Sequence, residues 1–234
     1  MHVAGVILAA GSGRRLGLGV PKALCLLDGV PLLGWAARSL VDSGAVDQLV
    51  VVAPPGAERE AREVLDACVP RHGAVVVTGA DSRHGSLHAA IDALDRRVST
   101  VVVHDACRPL APADVVVRAL KAVYDGADLA VPVIEVTETV KELDPTGRIA
   151  RTVPRETVVR VQTPQAVRRH VLDAAHGGCR GAGFAPIDGD EQGALAPPDA
   201  RMSLVDGEDD GFPVVRPNDL AFAEAVLARR RAAG

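Results

Sequence analysis

Apolar residues fall along this chain in two alternating rhythms. Short continuous runs at residues 3–9, 48–53, 74–78, 100–104 and 129–134 are built mainly from Val, Ile, Leu and Ala. Between them lie stretches with helical spacing of apolar positions, at 32–41, 58–68, 86–94 and 112–124. Unbroken apolar runs suit strands buried on both faces, and a 3.6-residue period suits helices with one face on a core. The punctuation agrees: Pro54-Pro55 stops the second strand, Pro70 stops the second helix, and Pro112 opens another at the first-turn position that proline favours. This β-α-β-α order predicts an α/β fold with a mostly parallel sheet and helices on both faces.

Beyond residue 134 the rhythm changes. Residues 137–143 and 149–153 alternate, and Asp144-Pro145-Thr146-Gly147 between them is a strong turn signal. The pattern predicts a β-hairpin arm over 137–153 projecting from the sheet, or an edge hairpin packed on its own subunit. Residues 177–200 are rich in Gly, Pro and acidic residues and read as loop; 202–205 reads as a strand. A closing helix over 217–231 ends in Arg229, Arg230 and Arg231, cations suited to the negative end of a helix dipole. No repeat or low-complexity linker interrupts residues 1–234, which points to a single domain.

Composition narrows the picture. Apolar residues make up 48% of the 234 and aromatics only 2%, so the core is aliphatic. A net charge of −4 argues against a dedicated nucleic-acid or polybasic membrane binder. Cys25, Cys68, Cys107 and Cys179 form no C-x-x-C pair, which suits free thiols in a reducing compartment. The first apolar run has no basic segment before it and reads as a strand, and no stretch approaches a membrane span; the expected location is the cytoplasm. Only Lys22, Lys121 and Lys141 are lysines among 26 basic residues, so a lysine within a motif stands out.

The densest chemistry follows the first strand, in Leu8-Ala9-Ala10-Gly11-Ser12-Gly13-Arg14-Arg15-Leu16. Glycines at 11 and 13 permit a tight path with inward N–H groups, a nest for phosphate. Arg14 and Arg15 follow at once, and Pro21-Lys22 lies a short loop away; backbone donors plus fixed charge are what a polyphosphate needs. The turn is not a Walker A loop, since no Gly-Lys-Ser/Thr closes it. It is a poor dinucleotide fingerprint, since Leu16 stands at the third glycine position and Ala53-Pro54 ends the second strand without an acid. Asp105 falls at a strand end, where open α/β sheets place their ligands, and can hold a metal, hold an acceptor hydroxyl or cap a turn. His84 and His88, four apart, have no third obvious ligand and read better as surface or ligand-adjacent residues than as a metal pair.

The turn with Pro21-Lys22 resembles the signature of sugar-phosphate nucleotidyltransferases. Val103-His104-Asp105-Ala106-Cys107-Arg108-Pro109 is similar to the V-H-D-A-A-R-P motif of the 2-C-methyl-D-erythritol 4-phosphate cytidylyltransferases of non-mevalonate isoprenoid synthesis. Weaker matches follow in order: Asp81-Ser82-Arg83-His84-Gly85-Ser86, residues 135–141, Thr163-Pro164-Gln165, Asp190-Glu191 and Arg216-Pro217. The resemblance spans essentially the whole chain. It implies a Rossmann-like three-layer sandwich of nucleotide-diphospho-sugar transferase type, and transfer of CMP from CTP to a small polyol phosphate with Mg2+. By the same resemblance Gly11, Ser12, Gly13, Arg14 and Arg15 wrap the triphosphate, and Lys22 neutralises the α-phosphate, which makes Arg15 and Lys22 the catalytic pair. Ala10, Asp81, Arg83 and Ser86 surround the base. Asp105 holds the metal or an acceptor hydroxyl, and Arg108 binds the acceptor or shields Asp105. Asp210, in the acidic run Glu208-Asp209-Asp210, is either a second metal contact or part of a solvated loop. Thr139, Arg155 and Thr163 match acceptor-phosphate positions. In the family the arm crosses to a partner subunit, which implies a homodimer with composite sites; otherwise Arg155 is a surface arginine pairing with an acid such as Glu156.

This chain also departs from the pattern. The family carries a second lysine just before its closing Arg-Pro pair, close to the α-phosphate; counting back from Arg216-Pro217 puts Pro213 there. Gly189 precedes Asp190-Glu191 where threonine is usual. Either another cation, Arg14 or Arg216, fills the gap, or the rate or the acceptor has changed; altered acceptor use or a weakened reaction is the favoured reading over complete inactivity. Related alternatives are ribitol phosphate as acceptor, another nucleoside triphosphate, and a non-enzymatic relative.

Overall fold

The computed structural model describes residues 1–177 and 195–233. Cys179, Gly189 and the Asp190-Glu191 pair lie outside the described residues. Strand β1 (Val3–Leu8) is an interior strand of an eight-stranded sheet. A two-stranded ribbon follows, β2 (Leu26–Leu27) and β3 (Val30–Pro31), and then helix α1 (Leu32–Asp42). Next come β4 (Gln48–Ala53), α2 (Glu58–Cys68), β5 (Val75–Thr78), α3 (Arg83–Asp92), β6 (Thr100–Asp105), α4 (Ala113–Tyr124) and β7 (Leu129–Glu135). The arm is β8 (Val140–Leu143) paired with β9 (Ile149–Val153). The chain returns through β10 (Val159–Val161), β11 (Gln165–Arg168) and α5 (Arg169–Gly177), and closes with β12 (Met202–Asp206) and α6 (Pro217–Ala233).

The sheet order is β10-β7-β11-β6-β1-β4-β5, with β12 beside β7. Strands β6, β1, β4 and β5 run parallel, as their unbroken Val-rich runs predict. The difference from expectation is β11. It lies antiparallel between β6 and β7, so the last two strands of the early β-α-β series do not touch. Gln165-Ala166-Val167-Arg168 is too short and too polar at its ends to read as a central strand from periodicity alone.

Alternate residues of each strand point to opposite faces, and the core divides accordingly. Ile7, Val51 and Val102 join α1, α2 and α4 through Leu33, Ala36, Leu40, Ala61, Leu65, Val116 and Ala119. Val6, Val50, Val52 and Val103 face α3 and α5 through Leu87, Ala90, Ile91, Val171 and Leu172. A third cluster packs α6 (Ala223, Val226, Leu227) on Leu16, Cys25, Leu27 and Leu110, so the closing helix supports the loop that follows β1. Helix α1 ends where Ser43 Oγ donates to the Leu40 carbonyl at 2.6 Å and Gly44 takes a φ of +67°, a left-handed stop that glycine adopts without strain.

Among the described residues, no helix is long and apolar enough to cross a membrane. Cys25, Cys68 and Cys107 are free thiols.

Candidate active site

The carboxyl ends of β1, β4 and β6 open onto a cavity of about 1030 Å3. Its wall begins with the turn after β1: Ala10, Gly11, Ser12, Gly13 and Arg14 all line it. The turn is tight because the Gly13 carbonyl accepts from Leu16 N–H at 2.9 Å and from Gly17 N–H at 3.3 Å. Among the described hydrogen bonds, none is donated by the backbone N–H of Gly11, Ser12, Gly13 or Arg14, which leaves these donors for an anion as in a phosphate nest. Gly13 sits at φ +69°, and a Cβ there would stand 3.0 Å from the backbone nitrogen of Lys22. Lys22 N–H in turn points to the Gly11 carbonyl at 3.4 Å. The phosphate turn and the lysine, nine residues apart, are therefore one packed unit.

The opposite wall is the start of α3. Ser82 caps the helix, its Oγ accepting from Gly85 N–H at 3.0 Å. Ser86 Oγ accepts from Ala80 N–H at 3.1 Å and donates to the Ala80 carbonyl at 3.2 Å, so this buried hydroxyl closes the loop that carries Asp81. Gly79 is needed for close approach: a Cβ there would fall 2.3 Å from Ala10 Cβ. Asp81, Ser82, Arg83 and Ser86 line the cavity.

The floor is the end of β6. Asp105 is 8% exposed and lines the cavity beside Cys107. Its backbone N–H donates to Thr163 Oγ1 at 3.0 Å, and Thr163 Oγ1 lies 2.9 Å from His104 Nδ1. Burial pushes His104 down to about 4, the Asp105 charge opposing the shift and Arg108 adding to it. Burial also pushes the Cys107 thiol up; Asp105 adds to this and Lys22 opposes it. The Asp105 carboxylate accepts a hydrogen bond from Arg83 Nη1 across the cavity.

Nine expected nucleotide and catalytic positions thus meet in one cavity: Ala10, Gly11, Ser12, Gly13, Arg14, Lys22, Asp81, Arg83 and Ser86, with Asp105 beside them. Arg15 does not line it; the residue is exposed. Thr163 is 1% exposed, and its hydroxyl meets the His104 ring and accepts from the Asp105 backbone N–H, so it positions Asp105 where a direct acceptor contact was expected. Arg108 is likewise buried. It donates to the Gly211 carbonyl at 2.9 Å and the Val161 carbonyl at 3.1 Å, tying β10 to the loop before α6. Thr139 and Arg155 are exposed on and beside the arm, outside this cavity, with Arg155 Nη1 3.4 Å from the Thr137 carbonyl.

The metal expectation divides. Asp105 fits a hard divalent cation: it is an oxygen donor at a strand end and lines the cavity. Asp210 does not fit. Arg229 holds both of its oxygens at 2.8 and 3.0 Å, and Arg230 adds a bond at 2.9 Å while also donating to the Leu110 carbonyl. Two guanidiniums of α6 hold this carboxylate, which does not line the cavity, and the contact fastens the closing helix. Among the described residues no cluster of three His, Cys, Asp or Glu side chains could hold a metal. His84 and His88 do not form a pair of ligands either; both rings stack on His176, at 4.4 and 5.6 Å between centroids.

Pro213 lines a second, smaller cavity of about 580 Å3 with Arg108, Arg160, Phe212 and Phe222. Val214 N–H donates to the Cys107 carbonyl at 2.7 Å, so this segment abuts the floor of the first cavity. Of the two cations that could compensate for the proline, Arg14 lines the first cavity and Arg216 is exposed away from it. Two supporting roles were not foreseen for residues that the motifs contain. Ser82 is a helix-capping residue type a few positions before the helical spacing, and that was its signal; the Thr163–His104 contact joins residues 59 apart and left no local trace.

Comparison with known proteins shows the family and the fold. The family model described as 2-C-methyl-D-erythritol 4-phosphate cytidylyltransferase matches residues 3–229. The protein of that name from Streptomyces avermitilis is 42% identical over 238 residues, covering 98% of this chain and 93% of its own. The crystal structure of 2-C-methyl-D-erythritol 4-phosphate cytidylyltransferase from Thermus thermophilus shares 31% identity with a TM-score of 0.74, over 97% of this chain and 98% of the other. A 4-diphosphocytidyl-2C-methyl-D-erythritol synthase from Anaerococcus prevotii has the same fold, with a TM-score of 0.82 at 22% identity over 97% of this chain and 98% of its own.

Proposed function

Because the chain belongs to the 2-C-methyl-D-erythritol 4-phosphate cytidylyltransferase family, we propose that it transfers CMP from CTP to a small polyol phosphate, 2-C-methyl-D-erythritol 4-phosphate first among them, releasing pyrophosphate. The observation that carries this reading is the convergence of the unengaged N–H groups of Gly11–Arg14, the Lys22 ammonium and the Asp105 carboxylate on one cavity.

In this reading the turn holds the triphosphate, with Arg14 beside it. The acceptor's phosphate oxygen attacks the α-phosphorus in line, and pyrophosphate leaves. Lys22 stabilises the charge that builds on the crowded phosphorus; such fixed cations are worth most where water is excluded. The loop of Asp81, closed by Ser86, surrounds the base. Asp105 would hold Mg2+, which supplies further charge neutralisation on the phosphate oxygens when bound. Thr163 and His104 keep the Asp105 backbone in place.

The assembly follows from the arm. Residues 145–152 are exposed throughout, and the cross-strand pair Leu143 and Ile149 is 59% and 64% exposed. An isolated two-stranded ribbon is at best marginally stable in water. A homodimer in which the arm covers a second copy, and brings Thr139 and Arg155 to that copy's acceptor, supplies the missing surface. Residues 1–234 then work as one nucleotidyltransferase domain, in the cytoplasm, where CTP is made and the thiols stay reduced.

A second reading, transfer to a different polyol phosphate such as ribitol phosphate, is favoured by one observation, the uncharged Pro213 beside the floor of the site. One experiment tests both. The chain is supplied with Mg2+, each of the four nucleoside triphosphates and a panel of polyol phosphates, and pyrophosphate and the CDP-linked product are measured. Formation of a CDP-polyol supports the reading; no product from any acceptor with CTP overturns it.

A further inference from the structure

Arg83 and Asp105 come from opposite walls of the cavity, 22 residues apart in sequence, and each is held by its own framework. Arg83 is the first residue of α3, directly after the capping Ser82, and the loop before it is closed by Ser86 on Ala80. Asp105 is the last residue of β6, with its N–H on Thr163 and the following N–H, of Ala106, on the Leu8 carbonyl at 3.1 Å. The side chains meet at the cavity wall, at 29% exposure for Arg83 and 11% for Asp105. A divalent cation on the same carboxylate would stand within a few Å of the guanidinium, and the two cations repel each other there.

We propose that Arg83 is a stand-in cation and a positioning residue: it occupies the Asp105 carboxylate in the nucleotide-free protein and yields it when phosphate oxygens draw the guanidinium away. The proposal rests on the reading that this cavity takes a nucleoside triphosphate with a divalent metal. Arg83 lines the same cavity as the Gly11–Arg14 turn, so a polyphosphate lying on that turn comes within its range. A guanidinium exchanges a carboxylate for a phosphate with little change in hydrogen-bond geometry, since its planar fork fits both. Metal binding by the free protein is then weak, and nucleotide binding at one wall exposes a ligand on the other. The site is neutralised in either state, so Asp105 is not left as a buried uncompensated charge.

The test uses the whole chain without nucleotide. Mn2+ is titrated into wild-type protein and into the Arg83→Gln, Arg83→Ala and Arg83→Lys variants, and free Mn2+ is followed by electron paramagnetic resonance. Arg83→Gln and Arg83→Ala are expected to bind Mn2+ about tenfold more tightly than wild type, because a competing unit charge has gone. Arg83→Lys, which keeps a cation, stays near wild type. The gain disappears when Asp105→Asn is added to Arg83→Gln. Equal Mn2+ affinity in wild type and in whichever of the two neutral variants folds overturns the proposal, as does a gain that survives Asp105→Asn. The titration contains no CTP, so absence of CMP transfer in the separate product assay would remove the enzymatic reading while leaving the cation exchange standing.

Discussion

Gly13 packs its α-carbon against Lys22 so closely that a methyl group on residue 13 would stand 3.0 Å from both the Lys22 nitrogen and the Lys22 β-carbon. The phosphate turn and the lysine are thereby set relative to each other by backbone contact. Lys22→Ala is expected to lower kcat on the order of a hundredfold or more, with the fold intact, since it removes a cation acting on the transferring phosphate. Gly13→Ala should lower turnover too, because it adds strain at φ +69° and displaces Lys22. Arg15→Ala, outside the cavity, should cost less than either. Pyrophosphate release and circular dichroism decide the matter; near-normal turnover in Lys22→Ala would remove the central catalytic assignment.

Asp210 should behave as a fastener. Each exposed or half-exposed ion pair is worth about 0–1 kcal/mol, and Asp210 makes two, with Arg229 and Arg230. Asp210→Ala is expected to lower the melting temperature by a few degrees while leaving the Mg2+ concentration for half-maximal activity unchanged. Asp105→Asn should raise that concentration or abolish activity. A shift in Mg2+ requirement as large for Asp210→Ala as for Asp105→Asn would restore Asp210 as a metal ligand.

His104 makes stability sensitive to mild acid. Its folded-state value, about 4, lies below the ordinary histidine range, so the unfolded chain binds the extra proton first. The stabilising contribution is complete above about pH 6.5 and is lost as pH falls from there toward 4, at up to ~1.4 kcal/mol per pH unit. Most carboxylates do not titrate in the upper part of that window. Chemical denaturation of wild type at pH 7 and 5 should show the loss, and His104→Gln should show less of it. An equal pH slope in the two proteins would contradict the buried neutral imidazole.

The arm predicts assembly. Sedimentation equilibrium at micromolar concentration should give twice the chain mass of 24.2 kDa, and replacing both Leu143 and Ile149 by Asp should shift the mass toward one chain. Mixing inactive Arg155→Ala with inactive Lys22→Ala protein should restore part of the activity, because exchange places both defects in one site and leaves the other whole. A single-chain mass for wild type, or no recovery on mixing, would show that each chain builds its own site.

Pro213 predicts slow turnover of 2-C-methyl-D-erythritol 4-phosphate. It has no charge and no backbone N–H to offer a phosphate, and it lines the neighbouring cavity. Pro213→Lys is expected to raise that turnover at least several-fold; tenfold needs only about 1.4 kcal/mol at the transition state. Brisk wild-type turnover that Pro213→Lys leaves unchanged would show that Arg14 alone suffices.

The parallel half of the sheet was legible because each of β1, β4 and β6 is an unbroken apolar run that ends at its own turn signal. The nucleotide side of the cavity was legible for a related reason: Gly11–Arg14, Lys22 and the 81–86 loop are local motifs whose chemistry is visible without knowing their neighbours. What escaped was relational. Nothing near Gln165 announces a strand wedged antiparallel between two others, because its pairing is settled by residues some sixty positions earlier. Arg108 and Asp210 looked available for ligands in sequence; their partners Val161, Gly211, Arg229 and Arg230 are distant or on another element, and only packing reveals that they are engaged.

The wedge has a consequence for how the chain comes off the ribosome. Strands β1, β4, β5 and β6 can associate once residue 105 has emerged, but β7 meets β6 only through β11, which ends at residue 168. At about 5–20 residues per second, several seconds of synthesis separate the two events. Throughout that interval the nascent sheet presents the open edge of β6, a run of Val101, Val102 and Val103 that is fully covered in the finished protein, as a pairing template of the kind that draws in foreign strands. A growing chain therefore carries an aggregation hazard next to the floor of its own cavity, and the segment that caps the hazard is also the one whose Thr163 sets Asp105 in place.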